Sequence, residues 1–165
     1  DFVECLTDAN FFGIVTARGH KERVMIEAIK FFIHKKFQPS KLKKLLNNIK
    51  IKHIPVELHE ILTQDMLLDR YLKKCHYYCV TSDRFIEHIQ NTNLPVEEAK
   101  QLAVKMFINK ASIFSNGKLS IGFSGDDVKN VQHVSQLIEK ELKISYPGVK
   151  FNVYDTSQNK KVKRI

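Results

Sequence analysis

Phe11-Phe12-Gly13-Ile14-Val15-Thr16-Ala17-Arg18-Gly19-His20 is an apolar run that stops abruptly in a Thr-Ala-Arg-Gly turn, after which a helical pattern begins. Short apolar runs bounded by turn residues predict central strands of a parallel sheet, whose ligands bind beyond the strands' carboxyl ends. From Arg18 onward, Met25, Ile29 and Phe32 recur at helical spacing. A helix beginning just after Gly19 would aim its free N–H groups and positive dipole end at whatever Thr16 touches, and a phosphate is the natural guest. The same residues also suit an ordinary strand-to-helix turn, in which Gly and Thr serve only the backbone.

A second strand end has the same form. Leu119-Ser120-Ile121-Gly122-Phe123-Ser124-Gly125-Asp126-Asp127 is a short apolar strand closing in small residues and two adjacent carboxylates. Adjacent like charges repel unless a cation compensates, and hard oxygen ligands at a strand end suit Mg²⁺. The alternative is that Asp126 or Asp127 is the N-cap of a helix beginning near Val128.

Taken together and in this order, the two strand ends resemble the haloacid-dehalogenase-like (HAD) phosphohydrolase family. The resemblance rests on Ile14-Val15-Thr16-Ala17-Arg18-Gly19 and on Gly122-Phe123-Ser124-Gly125-Asp126-Asp127 with Asn130. Tyr146-Pro147 and Phe151-Asn152-Val153-Tyr154-Asp155 continue it toward one branch of the family. It implies that Thr16, flanked by Ala17, Arg18 and Gly19, holds a transferring phosphoryl group, and that Asp126 and Asp127 hold Mg²⁺. It implies a Rossmann-like three-layer α/β sandwich with a mainly parallel sheet, and a phosphorylated substrate. The family also takes a Lys from the region before the acidic pair, because a cation there stabilises the charge of phosphoryl transfer. Lys100, Lys105 and Lys110 lie on or just after a helix opened by Pro95. Lys100 is nearest that helix's N-terminus, the end that faces the ligand side in such a sandwich, and is the residue selected. All three also suit solvated helix charges.

One part of the family pattern is missing. Its nucleophile is the first Asp of an Asp-x-Asp pair on an N-terminal strand, and this chain contains no Asp-x-Asp. The expectation is that these 165 residues are the C-terminal part of a longer polypeptide, with the first strand and its nucleophile upstream of Asp1. The chain by itself is then expected to be inactive.

The remaining pattern alternates helices and strands, which also argues for an α/β sandwich. Phe2–Thr7 reads as part of a helix, and His20 to about Lys35 as another. Pro39-Ser40 breaks the pattern before a helix over Lys41–Asn48. A helix after Pro55 would turn Leu58, Ile61, Leu62, Leu68 and Leu72 inward, and Tyr77–Thr81 reads as a strand. The Pro95 helix would bury Ala99, Leu102, Ala103, Met106 and Phe107, Pro suiting its first position. Asn116-Gly117 is a turn, Val131, Val134, Ile138 and Leu142 mark a helix, and Val149–Tyr154 is a final strand after Pro147-Gly148. We expect one domain over 1–155 and a basic tail over 156–165.

A chain 43% apolar and 27% charged is globular, and no apolar run reaches the roughly eighteen residues of a membrane span. Cys5, Cys75 and Cys79 are odd in number and lack Cys-x-x-Cys spacing. With no visible signal peptide they read as reduced thiols of an intracellular, cytoplasmic protein. Cys75, Cys79 and His76 would form a zinc site only with His53, His59 or His88 as a fourth ligand.

The net charge of +9 is unevenly placed: Lys35 to Lys52 holds seven Lys and no acid, and Lys160, Lys161, Lys163 and Arg164 lie in the tail. Such runs contact nucleic acid or form a solvated face. Phe37 is the only aromatic in the first run, so a base-stacking platform is not evident. Two functions therefore stand: a Mg²⁺-dependent phosphomonoesterase of HAD type, and a noncatalytic α/β binding module with a Lys-rich face for nucleic acid. A phosphatase acting on nucleic-acid ends would use both features.

Overall fold

The computed structural model describes residues 2–113 and 119–156. The chain divides into two compact units, 1–100 and 101–165. The turn expected at Asn116-Gly117 and the basic residues Lys160, Lys161, Lys163 and Arg164 lie outside the described residues.

The first unit opens with α1 (Phe2–Thr7) and passes through Ala9, whose φ of 50° is left-handed, into β1 (Gly13–Thr16). Then come α2 (Glu22–Lys36), α3 (Pro39–His53), a 3₁₀ turn (Val56–Leu58) and α4 (Gln64–Leu72). The chain returns as β2 (His76–Cys79), followed by α5 (Asp83–Ile89) and the start of α6 (Val96–Ile113). β1 and β2 pair in parallel, from Gly13 opposite His76 to Thr16 opposite Cys79. Parallel strands need a long crossover, and α2 to α4 supply it.

The core of this unit follows from helical spacing. α2 buries Ile26, Ile29 and Ile33, α3 buries Leu45 and Ile49, and α4 buries Leu67, Leu68, Tyr71 and Leu72. Leu6 of α1 and Phe12 before β1 join the same cluster. Pro39 stands in the first turn of α3 and begins that helix, because its fixed φ suits a position where no N–H is needed. The expected helix after Pro55 is shorter at its start: Pro55 opens only the 3₁₀ turn, and α4 begins at a Thr63 cap whose hydroxyl accepts the Met66 N–H. Ile61 therefore falls outside the helical period and is 70% exposed, while Leu62, Leu68 and Leu72 are buried as expected.

A helix leaves its last carbonyls without partners. Beyond α1 four successive carbonyls are met by side chains of α3 and α4. Asn48 Nδ2 donates to Thr7 O (2.9 Å), Lys52 Nζ to Asp8 O (2.6 Å), His53 Nε2 to Ala9 O (2.7 Å) and Tyr71 OH to Asn10 O (2.7 Å). Lys44 adds a 2.9 Å ion pair with Asp8. Part of the Lys-rich run thus fixes the N-terminal helix.

In the second unit, the remainder of α6 is followed by β3 (Leu119–Gly125), α7 (Val128–Leu137), a π turn (Ile138–Leu142), α8 (Lys143–Ser145) and β4 (Val149–Asp155). β3 and β4 pair in parallel, from Leu119 opposite Val149 to Gly125 opposite Asp155. Ala103, Val104, Ile108, Ile121, Leu137, Ile138, Leu142, Phe151 and Val153 are its buried apolar residues. Pro95 stands one residue before α6 and its carbonyl accepts the Ala99 N–H, so it occupies the cap position rather than the first helical one.

The class is mixed α/β with parallel strand pairing, as the alternating pattern implies. The expected central, fully buried strands are absent among the described residues: the strands form two separate two-stranded sheets. A two-stranded sheet has only edge strands. Accordingly β1 is exposed or half-buried along its length, and β3 buries Ile121 while exposing its neighbour Gly122. Among the described residues no helix is long and apolar enough to cross a membrane.

Candidate functional site

The Thr16 turn is built by the parallel pairing of β1 with β2. Thr16 O accepts the Val80 N–H at 2.9 Å, which continues the ladder past the last paired residues. Immediately beyond, Thr16 Oγ1 accepts the Arg18 N–H at 3.1 Å, so the hydroxyl shapes the turn as the local alternative requires. The Thr81 hydroxyl donates to Ala17 O at 2.6 Å and fixes that peptide from the neighbouring strand end. Ala17, Arg18, Gly19 and His20 are exposed and Thr16 is half-buried, so the turn is open to a ligand. α2 then starts at Glu22 with Lys21 as N-cap, and no side chain caps its first amides. An ion pair of 2.9 Å between Arg84 and Glu22 joins the first turn of α5 to that of α2.

The sequence reading did not single out Thr81, Glu22 or Arg84, nor α5 itself. A local signal was present: Thr81-Ser82-Asp83 ahead of Phe85 has the form of an N-cap, and the Ser82 hydroxyl accepts the Phe85 N–H at 3.3 Å.

Lys100 lies on the second turn of α6, half-buried, with Nζ 2.9 Å from Glu97 Oε1. Lys105, the next candidate, pairs with Glu141 at 2.6 Å. Thr16, Ala17, Arg18, Gly19 and Lys100 all belong to the unit 1–100, whereas Asp126 and Asp127 belong to the unit 101–165.

At the end of β3 the two carboxylates have different surroundings. Asp127 is the N-cap of α7: Oδ1 accepts the Lys129 N–H at 2.8 Å, and Oδ2 accepts from Asn130 Nδ2 at 3.3 Å. The capping alternative thus holds for Asp127. Asp126 is exposed, and its carboxylate has no partner among the described residues. Thr156 closes the strand end, its N–H and hydroxyl both donating to Gly125 O at 2.9 Å.

Mg²⁺ keeps several waters and binds through one or two carboxylates. The open Asp126 carboxylate fits one such ligand, while both oxygens of Asp127 already accept hydrogen bonds. Among the described residues no group of three or more His, Cys, Asp and Glu is placed to hold a metal ion. The cysteines are free thiols. Burial pushes the Cys75 thiol up to about 12, and its Sγ donates toward Tyr71 O at 3.7 Å. Of the candidate fourth ligands, His53 is bonded to Ala9 O, and His59 Nε2 lies 3.0 Å from both Lys50 O and Ile54 O.

The Lys35–Lys52 run is shared among several tasks. Lys44 and Lys52 are engaged at Asp8, Lys35 lies over the Phe31 ring at 5.8 Å, and Lys41 over Phe37 at 5.7 Å. No family model, curated protein or solved structure matches the chain.

Proposed function

We propose that this chain is part of a Mg²⁺-dependent phosphohydrolase of HAD type, a phosphomonoesterase whose nucleophilic Asp lies upstream of Asp1. The observation that carries the proposal is the Thr16 turn. A parallel strand ends in a hydroxyl, an exposed Ala17-Arg18-Gly19 segment follows, and a 15-residue helix with no side-chain cap begins directly after it. Backbone N–H groups and a helix dipole directed at one place favour a bound anion.

In this proposal the Thr16 hydroxyl and the Ala17 amide orient the phosphoryl group, in a turn completed by Arg18 and Gly19, with the Arg18 N–H holding Thr16 Oγ1 in place. Lys100 exchanges its pairing with Glu97 for the phosphoryl oxygens. Asp126 is the Mg²⁺ ligand of this chain, and Asp127 holds the start of α7 so that Asp126 is presented in front of it. When bound, the ion supplies positive charge to the phosphoryl oxygens. The three-layer sandwich belongs to the same proposal: among the described residues β1 and β3 each have one hydrogen-bonded neighbour, so each sheet offers an edge to an upstream strand.

The test is hydrolysis of a generic aryl phosphate by the full-length polypeptide, with and without Mg²⁺, beside the 165-residue chain. Mg²⁺-dependent turnover in the first and none in the second is expected. An upstream sequence without Asp-x-Asp, or turnover by the isolated chain, defeats the proposal.

A further inference from the structure

We infer that the groove between α3 and α4 docks an acidic amphipathic helix of a partner protein, a role independent of the phosphohydrolase site. A cavity of about 380 Å³ opens there, with Leu42, Leu46, Leu62 and Leu67 along it and Lys43 and Lys50 beside them. Its size is that of a cleft taking several side chains. Lys43, Asn47 and Lys50 recur at helical spacing on one side of α3, which sets the Cα atoms of the two lysines about 10 Å apart along the axis.

These two lysines differ from the others of α3. Lys44 and Lys52 are engaged at Asp8, whereas Lys43 and Lys50 have no ion-pair partner among the described residues. None of the groove's lining residues is acidic. Apolar surface is also left uncovered there: Leu42 and Leu46 are only half-buried.

Leucines bordered along one side by two unpaired cations are complementary to one kind of occupant. A helix with apolar residues at i, i+3 or i+4 and i+7 fills the leucine floor, and Asp or Glu about two turns apart on its flank toward α3 meets Lys43 and Lys50. A nucleic acid would find cations here but no surface for its bases, since no aromatic residue lines the groove.

The probe is a fluorescein-labelled amphipathic helix of Leu and Glu, titrated by anisotropy, with leucine methyl spectra recorded alongside. We expect Lys43→Glu with Lys50→Glu to weaken binding by at least about tenfold, and Lys35→Glu with Lys36→Glu, an equal change of net charge, by less than about threefold. The methyls of Leu42, Leu46, Leu62 and Leu67 should shift on binding. Lys43→Gln with Lys50→Gln, which removes charge without reversing it, should weaken binding in the same direction. Equal losses in both Glu pairs, unshifted methyls, no binding at all, or tighter binding of a single-stranded oligonucleotide through Lys43 and Lys50 would each overturn the inference.

Discussion

The Thr81 hydroxyl donates to the Ala17 carbonyl across 2.6 Å, so the end of β2 holds the turn that leaves β1. An acceptor oxygen beside a bound anion is repulsive, and this bond occupies the Ala17 oxygen from the side of the sheet. Thr81→Val should leave the melting temperature nearly unchanged, because the site is exposed and water replaces the lost donor. Amide exchange at Arg18 and Gly19 should accelerate, and Thr81→Ser should restore it. Identical exchange in wild type and Thr81→Val would show that the turn is set without Thr81.

Thr16 has a visible local task, accepting the Arg18 N–H at 3.1 Å, and a proposed one toward a phosphoryl group. Thr16→Val keeps the β-branched shape. If the proposed function holds, it should lower kcat/KM of the full polypeptide by roughly ten- to a thousandfold, on the order of one transition-state hydrogen bond. The local task alone predicts full activity with a stability loss of up to about 1 kcal/mol. A thermal melt and a steady-state assay on this variant separate the two.

Asp126 and Asp127 should separate in the same manner. Asp127→Ala removes the cap of α7 and should cost about 1 kcal/mol in a denaturant titration. Asp126→Asn should leave the melt in place and, under the proposed function, weaken Mg²⁺ binding in calorimetry on the full polypeptide. Unchanged Mg²⁺ affinity would remove Asp126 from the site.

His53 gives the fold a pH dependence. Burial holds its imidazole below the ordinary 6.5, outweighing the Ala9 carbonyl, which favours the protonated ring. Below about 6.5 the unfolded chain binds a proton that the folded chain does not, so stability falls as pH drops until the folded ring protonates. Asp8 acts in a separate, lower window: its hydrogen bond and ion pair with Lys44 hold its carboxyl below 3.8, so that contribution is lost as pH falls through the folded value. Melts at pH 7.5 and 5.5 should show a drop in wild type that His53→Gln reduces. Equal drops in both would assign the dependence to other groups.

The parts of the fold legible in the sequence are those where one local signal dominates. The helical recurrence of Met25, Ile29 and Phe32 and the apolar run ending in Thr16 need no distant partner to be read, although the buried stripe of α2 is turned by about one residue, to Ile26, Ile29 and Ile33, with Met25 and Phe32 half-buried. The sheet layout was not legible, because apolar strand residues suit a central strand and an edge strand alike, and only pairing decides. Ile61 was placed inward because the period was extended across the Thr63 cap. The Asp126-Asp127 pair left a metal and a cap equally open, and the choice for Asp127 depends on where the Lys129 amide falls. The Lys run was read as one surface. Its division between Asp8, just past α1, and the α3–α4 groove depends on which helix packs beside each lysine, and no spacing within the run encodes that.

The parallel register also sets an order of events in time. Paired residues of β1 and β2 lie roughly sixty positions apart in the chain, and those of β3 and β4 roughly thirty. A doubled loop costs about 0.6 kcal/mol more to close, so on refolding from denaturant the C-terminal sheet should form about threefold faster than the N-terminal one. Synthesis reverses the constraint. At about 5–20 residues per second, β1 leaves the ribosome roughly 3–12 s before β2 exists to pair with it. During that interval Phe12 and Ile14 have no sheet to join, and a chaperone that holds short apolar segments would find its target there.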